Sequence, residues 1–220
     1  ERALAVGDTG TIFVWDGVEW SHPRFRVPGA FSGELIEPRG ALHSVWSPNG
    51  DNYSIVGSGG AAYRSDGVAA SFEALDTRIA EPLRGVWGTG NNNVYAVGLD
   101  STILRFRNGQ WRRVREDGAD DLPVTFLFGV DGRGGNNILA VGWRGVTARF
   151  NGRWVREVSQ TAFDLRDVWV APRVQVEPYP DELPDVTVNV DVAYAAGVAG
   201  TILRRQDPIP TLEELREAQP

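Results

Sequence analysis

The sequence predicts an all-β protein: a β-propeller of four-stranded antiparallel blades, with about five blades in 220 residues, part of a larger ring. Three observations predict it. A unit of four signatures recurs along the chain, short strand-forming runs lie between glycine turns, and no repeat carries an apolar stripe of helical period.

The first signature opens each unit: Leu42-His-Ser-Val-Trp46, Leu83-Arg-Gly-Val-Trp87, Leu127-Phe-Gly-Val-Asp131 and Leu165-Arg-Asp-Val-Trp169. The second is Tyr53-Ser-Ile-Val-Gly57, Tyr95-Ala-Val-Gly98, Leu139-Ala-Val-Gly142 and Tyr194-Ala-Ala-Gly197, with a further copy at Leu4-Ala-Val-Gly7. The third is Gly10-Thr-Ile-Phe13, Thr102-Ile-Leu104, Val146-Thr-Ala148 and Gly200-Thr-Ile-Leu203, with Ala61-Ala-Tyr63 as a weak copy. The last is a turn and an aromatic: Asp16-Gly17 with Trp20, Asp66-Gly67 with Phe72, Asn108-Gly109 with Trp111, Asn151-Gly152 with Trp154. The signature glycines at 7, 57, 98, 142 and 197 are spaced by 50, 41, 44 and 55 residues, the range of propeller blades.

Each signature has the chemistry of a strand or a hairpin. Asn-Gly and Asp-Gly favour type I′ turns, which need positive φ at both central residues. The runs between them are four to six residues of Val, Ile, Tyr, Phe and Trp, apolar on both faces, as sheets covered on both sides require. With strands labelled a to d, the chain reads b-c-d, then three a-b-c-d units, then a-b-c. The blades fall at about 1–40, 41–82, 83–125, 126–164 and 165–205, with a tail at 206–220. Two accounts fit the missing strands: a ring closed by strands from both ends, or further chain upstream. The alignment of Glu1–Gly7 with Asn92–Gly98, which follows a full strand a, favours the second.

The run from Leu83 to Gly98, then Thr102–Phe106 and Asn108–Trp111, resembles the repeats of exported or surface β-propeller proteins of myxobacteria and their relatives. It is also similar to the repeats of photosystem II assembly factor propellers and to the Asp-box hairpins of sialidases. The resemblance spans roughly residues 1 to 205 and implies a bacterial propeller exported to the periplasm, outer membrane or cell surface. The sialidase arginine triad and Tyr/Glu pair have no counterpart here, so no catalytic residue carries over. Propellers host many unrelated activities, so function must come from the site.

Composition narrows the classes. There is no Cys and no Met, so no disulfide framework, thiol nucleophile or thiolate metal site is open to the chain. Without an initiator Met, it reads as a processed product or a piece of a longer protein. The net charge of −7 argues against nucleic acid as a partner. The local run Arg105, Arg107, Arg112, Arg113 and Arg115 reads as a solvated edge that discourages strand addition. No apolar run reaches 18 residues, so no helical membrane span is expected, and no signal peptide is visible.

Three stretches break the repeat, and function concentrates in such places. Residues 21–41, with His22, Arg24, Arg26, Phe31, Glu34, Glu37 and Arg39, connect the first two blades. Residues 171–188 interrupt the fifth, with prolines that favour an extended path and the acids Glu177, Asp181, Glu182 and Asp185. Val174, Val176, Tyr179 and Leu183 are its candidate anchors on a partner protein. In the tail, Thr211 and Glu214 form a capping box that predicts a helix over 212–218.

No catalytic triad, phosphate loop or metal helix appears, so no catalytic residue, metal ligand or cofactor is expected. His43 falls in a strand a, as a hydrogen-bonded structural residue. Asn49–Asn52, Asn91–Asn93 and Asn136–Asn137 suit a-b turns, and calcium is the alternative chemistry for them. The leading expectation is a noncatalytic module for a protein or glycan partner, with Asp8, Asp100, Trp143 and Arg144 on the b-c turns as candidate ligand-binding residues. The alternatives are an accessory subunit of a bacterial envelope complex and a glycosidase-like propeller enzyme.

Overall fold

A computed structural model describes residues 2–26, 38, 40–65, 71–114, 123–178, 180 and 188–218. Strands β1 (Ala3–Val6), β2 (Ile12–Trp15) and β3 (Trp20–Ser21) form blade 1. Blade 2 holds β5 (Leu42–Trp46), β6 (Ser54–Gly57), β7 (Ala62–Ser65) and β8 (Ser71–Ala74). Blade 3 holds β9 (Leu83–Gly90), β10 (Asn93–Gly98), β11 (Ile103–Arg107) and β12 (Gln110–Arg113). Blade 4 holds β13 (Leu127–Gly132), β14 (Ile138–Gly142), β15 (Thr147–Phe150) and β16 (Trp154–Glu157). Blade 5 is β17 (Leu165–Val170), β20 (Val192–Gly197) and β21 (Ile202–Gln206).

The chain is thus an all-β propeller of b-c-d, three a-b-c-d and a-b-c blades. The two terminal sheets stay separate, and among the described residues no strand of one end pairs with the other. Inner strands β5, β9, β13 and β17 are neighbours in chain order.

What stacks the blades is the alternation of side chains across each sheet. Ile12, Ile55 and Phe72 gather between blades 1 and 2; Ala62, Leu104 and Trp111 between 2 and 3. Tyr95, Ile103 and Trp154 gather between 3 and 4; Val141, Val168 and Ala195 between 4 and 5. Each large side chain so buried stabilises by about 1.5–3 kcal/mol. In blades 2 to 4 the aromatic after the hairpin turn, Phe72, Trp111 or Trp154, is the buried outer plug, while Trp20 of blade 1 is half exposed; Trp111 packs on Phe106 at 5.4 Å, and Trp154 reaches across to Tyr95 at 6.2 Å.

In blades 2 to 5 the signature glycine at the end of strand b answers a close approach. Its backbone is extended, but a Cβ on Gly98 would sit 2.1 Å from Pro82 O, and on Gly142 1.9 Å from Phe126 O. Those same carbonyls accept the next N–H, Leu99 to Pro82 at 3.1 Å and Trp143 to Phe126 at 2.8 Å. The b-c turns of blades 2 to 5 are thereby tied to the start of their own inner strands.

Several elements depart from expectation. Of the hairpin turns, Asn108-Gly109 has positive φ at both residues, as type I′ requires. Asp16-Gly17 and Asn151-Gly152 have it at the glycine alone. Asp16 Oδ1 there accepts the N–H groups of Val18 and Glu19, so its side chain shapes the turn. Part of the first connection becomes β4 (Arg24–Arg26), a fifth strand parallel to β8. The 171–188 insertion is partly sheet: β18 (Val174–Val176) pairs with β19 (Val188–Val190), as the Val-x-Val alternation on both sides of the prolines allows. Helix α1 (Leu212–Glu217) starts from the Thr211/Glu214 capping box with no buried residue.

Candidate functional site

All five b-c turns share one backbone. Two consecutive left-handed residues occupy each: Thr9-Gly10, Gly59-Gly60, Asp100-Ser101, Arg144-Gly145 and Ala199-Gly200. The first of each pair points into solvent and is free to vary, which is how one scaffold presents different side chains at five places.

Facing these turns is a second repeated feature. Each inner strand of blades 2 to 5 has a β-bulge directly after its leucine. The bulged residues are His43, Arg84, Phe128 and Arg166. A bulge re-aims a side chain out of the ladder's alternation. Inner strands also run very close, since a Cβ on Gly85 would stand 3.1 Å from Phe128 O. The bulged residues of neighbouring blades therefore meet. Arg166 lies 4.4 Å over the Phe128 ring. Arg84 acts on His43, whose pKa is held below its ordinary value, first by burial and then by that guanidinium. Ser58 Oγ, from the adjoining turn, is hydrogen bonded to His43 Nε2 at 3.2 Å.

At blades 4 and 5 the two features merge into one surface. Trp143 is 38 % exposed and lies 5.7 Å from Phe126. Arg144 rests its guanidinium 4.5 Å over the Trp143 ring, and its backbone N–H donates to Asp164 Oδ1 at 3.0 Å. Asp164 also pairs with Arg166 at 3.0 Å. The surface thus combines aromatic faces, one satisfied carboxylate and guanidinium groups held flat. Among the described residues the Arg144 and Arg84 guanidinium groups have no carboxylate partner.

Of the four residues read from sequence, Trp143 and Arg144 stand together here. Asp8 lies on the blade 1 b-c turn, near enough to His43 to oppose the other influences on its pKa. Asp100 is exposed on the blade 3 turn. Phe126, Phe128, Asp164 and Arg166 were missed. Their signal was the variable residue on either side of each conserved leucine, which a reading of the constant positions passes over.

The other candidates lie elsewhere. Val176 packs against Ala171, Val190 of β19 and Val192 of β20, within its own blade. Val174 sits in β18, while Tyr179 and Leu183 fall outside the described residues. Arg105, Arg107, Arg112 and Arg113 line an 840 Å³ groove with Arg78. Glu81 pairs with Arg113 at 3.2 Å, and Asn93 Oδ1 accepts from Arg105 Nε at 2.7 Å. Arg115 lies outside the described residues. In the a-b turns Asn49 Oδ1 accepts from Asp51 and Asn52 N–H, and Asn92 Oδ1 from Asn108 N–H.

No family model matches the chain, and no curated protein matches it. Solved structures do. YCF48 from Cyanidioschyzon merolae superposes with a TM-score of 0.61 at 13 % identity, over 92 % of this chain and 65 % of that one. YCF48 bound to D1 peptide gives 0.55 at 14 % identity, over 92 % and 59 %. An ancestral GH74 enzyme gives 0.54 at 13 % identity, over 94 % and 32 %. The chain spans about two thirds or less of these proteins' lengths. At such identities the likeness is one of fold.

Proposed function

We propose that this propeller is a noncatalytic binding module that takes a segment of a partner protein at the mouth formed by Phe126, Phe128, Trp143, Arg144 and Arg166. The observation that carries the reading is the Arg144 guanidinium, without a carboxylate partner among the described residues, stacked on a half-exposed Trp143 beside Phe126. Aromatics and arginine dominate binding hot spots because they supply large rigid area with a directional charge. A peptide with an apolar or aromatic side chain next to a carboxylate fits that chemistry, the ring on Trp143 and the carboxylate on Arg144. A structure of similar fold holds a peptide, YCF48 with D1 peptide, which supports protein over glycan as the partner class. The resemblance of its repeats supports a bacterial, exported setting, where the module would serve within a larger envelope assembly.

Selection from a phage-displayed random peptide library tests this. Peptides enriched on the protein should combine aromatic and acidic residues and should lose binding to the Trp143→Ala/Arg144→Ala variant. Enriched peptides that bind the variant equally well would overturn the site.

A further inference from the structure

Strand c of blades 2, 3 and 4 carries an arginine at the same place in the repeat. Arg64, Arg105 and Arg149 each stand opposite the residue three before their own signature glycine. What faces that arginine on strand d differs. Arg64 faces Glu73, an opposite charge. Arg149 faces Val155 and has Asp207 at 3.9 Å. Arg105 faces Arg112. Like charges directly opposite on one sheet face destabilise it, so blade 3 keeps an arrangement that its neighbours avoid. Arg107, two residues along from Arg105, adds a third guanidinium to the same face.

These side chains are positioned. Arg105 donates from Nε to Asn93 Oδ1 at 2.7 Å and lies 5.3 Å over the Tyr95 ring, and its terminal nitrogens have no partner among the described residues. Arg112 meets the neutral Gln110 Oε1 at 3.3 Å. Burial raises the pKa of the Tyr95 hydroxyl, and Arg105 and Arg107 are both near enough to oppose it, so the two guanidinium groups share one neighbourhood. That hydroxyl is itself buried without a hydrogen-bond partner among the described residues. The other arginines of the same groove are neutralised, Arg113 by Glu81 at 3.2 Å and Arg78 by Asp76 at 4.0 Å. Among the described residues Arg105, Arg107 and Arg112 have no carboxylate partner, and all three line the 840 Å³ groove. That volume is in the range of small-molecule sites.

The unbalanced charge states what belongs there. A carboxylate fills one guanidinium fork. A phosphate monoester carries nearly two negative charges at neutral pH and three terminal oxygens, enough for a charge-assisted hydrogen bond from each of three guanidinium groups. The Trp111 ring beside them is buried and offers no stacking face, so the rest of the ligand is polar rather than aromatic. We propose that Arg105, Arg107 and Arg112, on the outer strands of blade 3, bind the phosphate group of a small sugar phosphate, at a site apart from the mouth at blades 4 and 5.

Glucose 6-phosphate is the probe, titrated calorimetrically into the whole chain at fixed ionic strength. Wild type should bind one molecule per chain. Glucose should not bind, and glucuronate, with its single carboxylate, should bind more weakly by about tenfold or more. Arg112→Gln should weaken glucose 6-phosphate by about tenfold or more, and Arg107→Gln likewise. Arg113→Gln, which removes an arginine already paired, should keep wild-type affinity. Stability supplies a second reading that a merely structural arginine would not give. Because Arg112→Gln relieves a like-charge pair, its Tm without ligand should lie above that of wild type. Wild type that binds no glucose 6-phosphate, or Arg112→Gln that binds it undiminished, would overturn the site. Glucuronate bound as tightly as glucose 6-phosphate would overturn the assignment to phosphate. An equal loss of affinity in Arg113→Gln would reduce the groove to a general basic surface, and a lowered Tm in Arg112→Gln would make Arg112 structural; either result also overturns the proposal.

Discussion

His43 shows how much of a side chain's behaviour is set by its neighbours across a blade junction. Its imidazole is half-buried against the Ser58 turn, with Arg84 on one side and Asp8 on the other. Burial and the Arg84 charge both disfavour the imidazolium and outweigh the Asp8 attraction, so the ring should titrate below the ordinary histidine value. In NMR titrations the His43 midpoint should lie below the ordinary histidine value and rise in Arg84→Ala. A depressed histidine contributes stability that is present above its unfolded pKa and lost as pH falls through that value toward the folded one. Wild type should therefore lose more stability on mild acidification than His43→Gln does. Asp131 has the opposite sign. Burial is the leading cause that raises its pKa, against the N–H groups of Val170 and Gly132 that lower it. Asp131→Asn, which keeps an acceptor for Val170, should gain stability relative to wild type as pH rises from below the carboxylate range to neutrality.

At the scale of the element, the packing of Trp46 on Gly88 and of Trp87 on Gly132 fixes how closely inner strands approach. A β-branched side chain at Gly88 meets the Trp46 ring and Asn93 O at 2.7 Å, whereas Gly90 has open space around its missing Cβ. Gly88→Val should cost about 1–3 kcal/mol or more in urea denaturation through overpacking. Gly90→Val, two residues along the same strand, should cost far less. The strands themselves were legible in the sequence, because turn glycines and β-branched runs act locally. The outer plugs Trp111 and Trp154 were legible for the same reason. The bulges were not: a bulge depends on register against strand b, and the sequence shows only a leucine followed by a variable residue. Nor was β4, whose pairing with β8 joins residues nearly fifty positions apart.

Across the whole molecule, stability runs along a row. Blades 2, 3 and 4 have neighbours on both faces, while blades 1 and 5 each have one covered face. A linear stack has the energetics of neighbouring units, and its ends open first. Hydrogen exchange read by mass spectrometry should therefore find slowest exchange in β10 and β14, with faster exchange in β1 and β21. Uniform protection from β1 to β21 would mean that the ends are covered in solution. Asp191 adds a local brace at blade 5, binding Arg133, Asn137 Nδ2 at 2.8 Å and Arg173 Nε at 3.1 Å.

By itself the sequence determined the repeat, the strand order b-c-d, a-b-c-d three times, a-b-c, and the propeller class. Those follow from local chemistry repeated five times: glycine where a carbonyl comes close, left-handed pairs at the turns, apolar residues on both sheet faces. Only the tertiary structure decided which variable residues meet. Phe126, Phe128, Trp143, Arg144, Asp164 and Arg166 come from two blades and three separate stretches of chain, and become one surface because bulges and b-c turns share an edge of the stack. Whether Trp169 is core or surface is likewise invisible in its signature, which matches that of Trp87, since burial depends on what stands opposite.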